Sequence, residues 1–393
     1  MLVTWRHFNQ RLPRDQYQLK PMKLTTRLIS ALNRRKLVTW ERTDPEACVL
    51  MITNAWPHPE HPTQGTFVQY TIDGLDAQGV RCDVLFVRGY RGWHAYLLGC
   101  VAMALLPSAS KGKYRLVHSH GGETALVARF FHSVPVLASY LGSDILGPQE
   151  GNLRSRMKCF VRSKILRGHS LLMSATTTKS DEMASLLPPH ARSRNWVIPD
   201  GVNRSRFSPA ERNAARRQIS WPLDETTVIS VGERVSLKRL WLAEQATALA
   251  TREIQSLRWR VLSDVAPQEM PLYYNAADCL IHTSASEGSP NAVKEALACN
   301  LPVVATPAGD IAELLTGVTP SALCAPEPAV LAREIVRCVV GKQRSDGRER
   351  TRHLGLEEIT ARTLECYASL GIHIRLDRAP REFDTTQAIH GAA

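Results

Sequence analysis

Residues 286–298 read Ser-Glu-Gly-Ser-Pro-Asn-Ala-Val-Lys-Glu-Ala-Leu-Ala and join two contrasting segments of the chain. The apolar run at 277–283 predicts a buried strand, and the periodicity from 291 to 299 indicates a helix. The free N–H groups at the start of a helix, together with the positive end of its dipole, favour an anion such as a phosphate. The sequence therefore predicts a strand–turn–helix unit that can bind a phosphorylated ligand.

Two glutamates eight positions apart, Glu287 and Glu295, mark the turn and the helix that it begins. Glu295 lies about one turn inside the predicted helix, where its carboxylate can accept hydrogen bonds from the hydroxyl groups of a ligand. Sugar and ribose hydroxyls are suitable donors. The alternative for either glutamate alone is a helix-capping or surface carboxylate.

Strands and helices alternate along most of the chain. Strands are predicted at 48–53, 82–87, 116–120, 134–140, 171–174, 227–231, 259–262, 279–283 and 303–305. Most of these runs are almost wholly apolar, and helical segments separate them, which indicates parallel sheets covered on both faces. The predicted fold class is α/β, with two Rossmann-like domains whose parallel sheets face each other across a cleft. Ligands of such sheets bind at the carboxyl ends of the strands.

Length and turn-rich segments suggest the domain boundaries. The 393 residues favour two domains, joined at the turn-rich linker 198–207. We predict a basic extension at 1–45, an N-terminal acceptor-side domain at 46–203 and a donor-binding domain at 204–354. A helix at 355–370 is expected to pack back on the N-terminal domain, and 371–393 is expected to be a tail.

Several motifs in their order resemble those of the retaining glycosyltransferases of family four, which have the GT-B fold. The Glu-x7-Glu pattern continues into the Pro-Val-Val-Ala-Thr of 302–306, and Val-Ile-Pro-Asp-Gly-Val-Asn at 197–203 is similar to the family's linker. The stretches 230–239, 117–122 and 141–144 also resemble family motifs. The resemblance covers roughly residues 48–370.

This resemblance implies roles for individual residues. Donor-binding residues are predicted at Glu295, Lys238, Arg234, Gly288, Ser289, Pro290, Asn291 and Gly65. Catalytic roles are predicted for Glu287, Asp144 and His120. Without the motifs, Lys238 and Arg234 would be read as a solvated basic helix start, Asp144 as an Asx-turn residue and His120 as a core histidine. His118 and His120 are expected to share one face of their strand.

Two positions depart from the family pattern. Glu233 stands where the family has an arginine, and Leu141 stands where it has a histidine near the transferred sugar. Either Arg234 substitutes for the missing arginine, or Lys238 binds the diphosphate alone. His120 or Asp144 would take the place of the missing histidine.

The activity implied by the resemblance is sugar transfer with retention, from a nucleoside diphosphate sugar to a glycan or lipid-linked acceptor. The expected pathway is cell-surface polysaccharide or lipopolysaccharide assembly. No metal or other cofactor is predicted, because the chain has no Asp-x-Asp triplet and cations at the cleft can neutralise a departing diphosphate. A nucleotide-sugar epimerase and an inactive nucleotide-sugar-binding relative are the alternatives.

Charge and composition bear on partners and location. The net charge of +12 favours anionic partners, but no recognised module or set of interleaved aromatic residues indicates a nucleic acid. Nine scattered cysteines and a polar N-terminus predict a reduced cytoplasmic protein. The basic amphipathic segment 152–168 predicts either a helix on an anionic inner membrane face or an ordinary packed helix. The apolar run 95–106 predicts a buried helix or one that touches a membrane surface.

Overall fold

The computed structural model describes residues 33, 36–58, 61, 64–106, 112–131, 133–147, 152–232, 236–263 and 265–373. These ranges contain twelve strands, which are β1 (Val38–Arg42), β2 (Val49–Thr53), β3 (Cys82–Val87), β4 (Leu116–His120), β5 (Val136–Ser139), β6 (Ala175–Thr178), β7 (Asn195–Val197), β8 (Thr226–Val231), β9 (Leu257–Leu262), β10 (Cys279–His282), β11 (Val303–Ala305) and β12 (Ala322–Leu323).

Fourteen α-helices connect and cover these strands within the described residues. They are α1 (Thr66–Ala77), α2 (His94–Ala104), α3 (Gly122–Ala128), α4 (Leu153–His169), α5 (Asp181–Ser185), α6 (Pro189–Arg192), α7 (Arg212–Gln218), α8 (Leu240–Ala250), α9 (Met270–Ala276), α10 (Asn291–Ala298), α11 (Ile311–Leu315), α12 (Pro328–Val340), α13 (Gly347–Arg350) and α14 (Leu356–Ser369).

The strands form two sheets. The first has seven strands in the order β1-β3-β2-β4-β5-β6-β7, and the second has five in the order β12-β11-β10-β8-β9. All pairings are parallel except that of β1 with β3. The predicted α/β class with two mainly parallel sheets is confirmed.

Three apolar clusters hold these layers together. One lies under α2, α3 and α4 on one face of the first sheet, and another lies between the second sheet, α8 and α12. The third includes Met51 of β2, Leu280 of β10 and Tyr367 of α14, so apolar packing is continuous from one domain to the other. The two domains are therefore joined by a shared core as well as by the linker.

The terminal helix α14 lies against the N-terminal domain. A Cβ atom on Gly74 of α1 would lie only 2.1 Å from the Thr360 hydroxyl oxygen, so the two helices are in very close contact. Val202 of the linker pairs with Gly355 just before α14 begins. Helix α14 therefore packs against α1 of the N-terminal domain.

Three features differ from the sequence-based prediction. Residues 38–42, assigned to the basic extension, form β1 at the edge of the first sheet. The strand predicted at 171–174 is wrong, because Ala175–Thr178 forms β6 and Leu172 is exposed. The short strands β7 and β12 were not predicted, since three or two residues give no periodicity. Most of the basic extension predicted at 1–45, namely residues 1–32, 34 and 35, and residues 374–393 of the tail predicted at 371–393 lie outside the described residues.

No helix in the described part of the chain is both long and apolar enough to cross a membrane.

Candidate functional site

Loops at the carboxyl ends of the two sheets meet at the turn 286–290. A Cβ atom on Gly288 would lie 2.7 Å from the carbonyl oxygen of Leu141, which belongs to the loop after β5. A Cβ atom on Gly309, after β11, would lie 2.6 Å from the Gly288 carbonyl oxygen. Glycine is therefore required at 288 and 309 because three backbone segments converge there, one of them from the N-terminal domain.

Lys238 and Glu287 form an ion pair beside this turn. The Lys238 Nζ donates to Glu287 Oε1 at 2.7 Å, and the Nε2 atom of His282 lies 3.4 Å from the same oxygen. The lysine reaches this position because its stem crosses Gly232, where a Cβ atom would lie 3.3 Å from Lys238 Cε. The structure thus brings together the two residues that the sequence placed 49 positions apart.

The charges of this cluster follow from its surroundings. Burial alone would raise the pKa of Glu287, but the contact with His282 and the charge of Lys238 outweigh it and hold the pKa well below its usual range. Burial lowers the pKa of His282, so its ring is neutral near pH 7. Lys238 is therefore the cation that pairs with the ionised Glu287.

Glu295 occupies a more enclosed position on α10. Its Oε2 atom accepts a hydrogen bond from the Tyr274 hydroxyl at 2.9 Å. Burial raises the pKa of Glu295 to about 7, against the opposing effects of Tyr274, Lys294 and Arg206. Arg206 in turn donates to the Tyr70 hydroxyl of α1 at 3.0 Å. The second glutamate of the motif therefore lies close to a contact between the domains.

The turn that starts α10 carries further polar groups. Ser289 Oγ donates to Asp310 Oδ2 at 2.6 Å, whereas the buried Oδ1 atoms of Asn291 and Asp310 have no hydrogen-bond partner among the described residues. Pro290 is the residue before the helix, and no described side chain caps the first amides of α10. Unpartnered buried acceptors beside uncapped amides are typical of a site that a polar ligand completes.

His118 and His120 lie side by side on β4, with ring centroids 4.3 Å apart, so the expectation that they share one face is confirmed. His118 is held by the Tyr367 hydroxyl at 2.8 Å and by Ser139 Oγ at 2.7 Å. Within the part of the chain that the structure describes, both ring nitrogens of the buried His120 lack a hydrogen-bond partner, and burial lowers the pKa of His120 to about 3. Of the two, His120 is the ring left available for a ligand, in its neutral form.

Asp144 holds the loop after β5 in place. Its carboxylate accepts hydrogen bonds from the backbone N–H groups of Gly122, Gly142 and Ile145 at 2.9–3.0 Å and from that of Leu141 at 3.1 Å. These contacts are those of an Asx-turn residue, and they favour a role for Asp144 in positioning the loop. The direct catalytic role stays a prediction.

We expect Asp144→Ala to lower the free energy of unfolding by about 2 kcal/mol or more, because several buried amides lose their acceptor. Asp144→Asn retains one carbonyl acceptor and is expected to lose less. Thermal unfolding of both variants measures the difference. An Asp144→Ala protein as stable as the wild type would show that the loop does not depend on this carboxylate.

The remaining predicted residues are Gly65 and Arg234. Gly65 precedes α1 with φ of 76°, and a Cβ atom there would lie 2.2 Å from the Ala55 carbonyl oxygen. Glycine is thus required at position 65 because the backbone of Ala55 lies so close. The predicted approach of the Gly65 backbone to a donor phosphate stays a prediction. Arg234 lies outside the described residues. The neighbouring Arg239 donates to the carbonyl oxygens of Thr283 and Ser284, so it ties the turn after β8 to the end of β10.

Sequence reasoning missed three residues of this region. His282 is the last residue of β10, a position that the rule on strand carboxyl ends could have identified. Lys294 is fully buried in the motif helix and donates to the Asp200 carbonyl oxygen of the linker at 2.8 Å. Tyr274 comes from α9, and nothing in its local sequence indicates that it reaches Glu295.

Comparison with known families decides how this site is interpreted. Residues 213–340 match the family described as "Glycosyl transferases group 1". The chain carries a glycosyl transferases group 1 domain. This domain contains Lys238 and Glu295, which are predicted to bind the donor, and Glu287, which is predicted to be catalytic.

Relatives of the glycosyl transferases group 1 domain support the same interpretation. A Bacillus subtilis protein named as a teichuronic acid biosynthesis glycosyltransferase is 29% identical over 221 residues, which are 51% of this chain and 54% of the relative. The D-inositol 3-phosphate glycosyltransferase of Geodermatophilus obscurus is 26% identical over 273 residues, 56% of this chain and 60% of the relative. The chain thus spans little more than half the length of these relatives.

Solved structures establish the fold beyond the matched domain. Sucrose-phosphate synthase from Thermosynechococcus elongatus gives a TM-score of 0.66 at 17% identity, covering 82% of this chain and 99% of that one. Anabaena HepE in complex with UDP-glucose gives 0.60 at 15% identity, with 82% and 99% covered. The predicted GT-B fold and the resemblance to group 1 glycosyltransferases are confirmed.

Proposed function

We propose that the protein is a glycosyltransferase that moves a sugar from a nucleoside diphosphate sugar to a glycan or lipid-linked acceptor with retention of configuration. The observation that carries this proposal is the juxtaposition of Lys238 and Glu287 at the start of α10, within a glycosyl transferases group 1 domain. A cation for the diphosphate and a carboxylate for the sugar stand side by side at the cleft.

The groups beside the turn 286–290 indicate the chemical class of the donor. Lys238 supplies positive charge, and the uncapped amides of α10 supply N–H donors to phosphate oxygens. Glu295 supplies an acceptor for ribose hydroxyls. Structures of Anabaena HepE contain UDP with glucose and UDP-glucose, which supports a nucleotide sugar as the donor class for this fold.

The proposed transfer needs no protein nucleophile. The bond between the sugar C1 and the diphosphate oxygen breaks, and the acceptor oxygen forms a bond to C1 on the same face. The proton of the acceptor hydroxyl goes to an oxygen of the departing diphosphate. Lys238 stabilises the charge that develops on the diphosphate, and the ionised Glu287 stabilises the positive charge that develops on the sugar ring. His120 and Asp144, at the ends of β4 and β5, lie on the acceptor side.

The acceptor class and pathway extend this proposal. The Bacillus subtilis relative is named for teichuronic acid biosynthesis, which supports a cell-surface polysaccharide, with lipopolysaccharide as another product of the same kind. We place the enzyme in the cytoplasm, because its nine cysteines are free and most are buried. Attachment to the inner membrane face follows if the acceptor is lipid-linked.

Lys238 and the α10 amides can neutralise the diphosphate without a metal ion, so we expect excess EDTA to leave the transfer rate unchanged. The measurement is nucleotide release with a lipid-glycan extract before and after chelation. A rate that falls in EDTA and returns with added magnesium would contradict the proposal that these groups replace a metal.

Product analysis tests the reaction type. With the α-linked donor and the extract, we expect an α-linked product by NMR. With donor alone, we expect no conversion to an epimeric nucleotide sugar. A β-linked product would contradict retention, and an acceptor-independent epimer would identify an epimerase.

A further inference from the structure

Helix α2 presents an apolar stripe to solvent. Leu97, Val101 and Leu105 follow one another at four-residue spacing and are exposed, and Trp93, just before the helix, is 73% exposed. The opposite side of α2, with Leu98 and Met103, is buried against the first sheet. The run predicted at 95–106 thus forms a helix that is buried on one side only.

Helix α4 presents a second stripe with the same spacing. Leu153, Met157, Val161 and Ile165 recur every fourth residue and are exposed, with Leu153 at 78%. Phe160 is exposed beside them. The alternative that α4 is an ordinary helix with its apolar side packed is therefore wrong. Seven of the seventeen exposed large apolar side chains in the described residues belong to these two stripes, and Trp93 and Phe160 lie beside them.

Both stripes lie on the same side of the N-terminal domain. Leu98 of α2 and Leu166 of α4 enter one apolar cluster, which also contains residues of α3. Arg162 of α4 pairs with Glu123 of α3, which fixes α4 against the same layer. Because the buried sides of α2 and α4 share one sheet face, their exposed sides form a common outer surface.

Positive charge surrounds this surface. Arg154, Arg156, Lys158 and Lys164 of α4 are exposed, and α4 contains no aspartate or glutamate. Helix α2 carries no Lys, Arg, Asp or Glu. An apolar stripe flanked by exposed cations is complementary to anionic lipid headgroups above acyl chains.

The charge also discriminates between occupants. A second copy of the chain would present the same basic surface and be repelled. Residues 1–35 contain eight Lys and Arg against one Asp, so this segment is basic as well. An anionic bilayer is the occupant whose chemistry matches both the apolar stripes and the cations.

We propose that α2 and α4 form one docking face for an anionic bilayer, with the Trp93 side chain and the apolar stripes at the headgroup level and the α4 cations on lipid phosphates. This inference rests on the proposed function, since a lipid-linked acceptor would lie at the surface of the bilayer. Helices α2 and α4 follow the carboxyl ends of β3 and β5, and the loop before α4 contacts Gly288. Docking on this face therefore brings the acceptor side of the cleft towards the bilayer.

Vesicle co-sedimentation of the full chain tests the docking face. The probes are vesicles of phosphatidylcholine alone and of phosphatidylcholine mixed with phosphatidylglycerol, at low and high salt. We expect wild type to bind the anionic vesicles and to be released by salt. Replacing Arg154, Arg156, Lys158 and Lys164 with glutamine should weaken this binding at least about a hundredfold. In the matched control, glutamine replaces the exposed Arg217, Arg252, Arg333 and Lys342 of the other domain. This control variant should bind the anionic vesicles as wild type does.

A second pair of variants separates the apolar stripe from the charge. Trp93→Ser with Leu97→Gln should weaken binding at least about tenfold, because apolar side chains no longer enter the interface. Trp241→Ser with Val340→Gln changes two side chains of the other domain that are also exposed, and this variant should bind as wild type does. All these positions are exposed, so the variants are expected to fold.

Two results would contradict the docking face formed by α2 and α4. Wild type that ignores anionic vesicles, or an α4 variant that binds as wild type does, would overturn the docking face. Nucleotide-sugar binding in vesicle-free buffer is measured on the same proteins, so loss of the proposed function can be distinguished from loss of docking.

Discussion

Lys238→Met is expected to lower kcat/KM for nucleotide release at least about a hundredfold, because the departing diphosphate loses its principal described cation. Methionine retains an apolar stem over Gly232 while removing the charge. The loss should appear in the binding of free nucleoside diphosphate as well as in turnover. Steady-state kinetics with one donor and an excess of acceptor measure it.

Two controls make this result specific. Arg333→Ala removes one positive charge from the same domain at an exposed position and should behave as wild type does. Thermal unfolding of Lys238→Met shows whether the unpaired Glu287 has destabilised the fold. A folded Lys238→Met protein with nearly wild-type kcat/KM would place the diphosphate elsewhere.

Glu287→Gln is expected to lower kcat about a hundredfold while nucleoside diphosphate binding is retained or strengthened. Glutamine has the shape of glutamate but lacks the charge that would stabilise a positively charged sugar ring. Lys238 would no longer be held by a carboxylate, so it becomes more available to the diphosphate. The contrast between turnover and product affinity separates this variant from Lys238→Met.

The low pKa of Glu287 also predicts how the rate depends on pH. Because it is held well below the usual range, Glu287 is ionised throughout the neutral pH range, and its protonation should not shape the pH–rate profile there. Glu253→Gln, at an exposed position of the same domain, is the matched control. Equal losses of kcat and of nucleoside diphosphate affinity in Glu287→Gln would contradict a role at the sugar.

The elements of the proposed donor side could be predicted from the sequence because they are local. The strand, the Gly-Ser-Pro-Asn turn and the helix at 291–298 follow one another, and each has its own signal in periodicity or turn composition. The pairing of Lys238 with Glu287 follows from the parallel order of β8 and β10, since neighbouring parallel strands end at the same edge of a sheet.

The proposed acceptor side depends on contacts that no local pattern encodes. Asp144 has the residue type of a catalytic carboxylate, and only the folded loop shows that its oxygens are taken by four amides. The partner of His118 is Tyr367, which lies 249 positions later in a helix that returns to the first domain. Such pairings are set by tertiary packing.

The apolar stripes illustrate a different limit. The spacing of Leu153, Met157 and Ile165 predicts a one-sided helix but does not say whether that side is covered. Burial depends on the neighbouring elements, and the structure leaves the stripe in solvent. The edge strand β1 was missed for a related reason, because its pairing with β3 is non-local.

Calorimetric titration with a panel of UDP-, GDP- and ADP-sugars tests the central claim most directly, comparing wild type with Glu295→Ala and Tyr274→Phe. Tyr274→Phe removes the hydrogen bond to Glu295 but leaves the carboxylate. The cleft assignment predicts that wild type and Tyr274→Phe bind one nucleotide sugar and that Glu295→Ala binds it at least about tenfold more weakly. Failure of the folded wild type to bind any of these nucleotide sugars, or binding unaffected by Glu295→Ala, would contradict it.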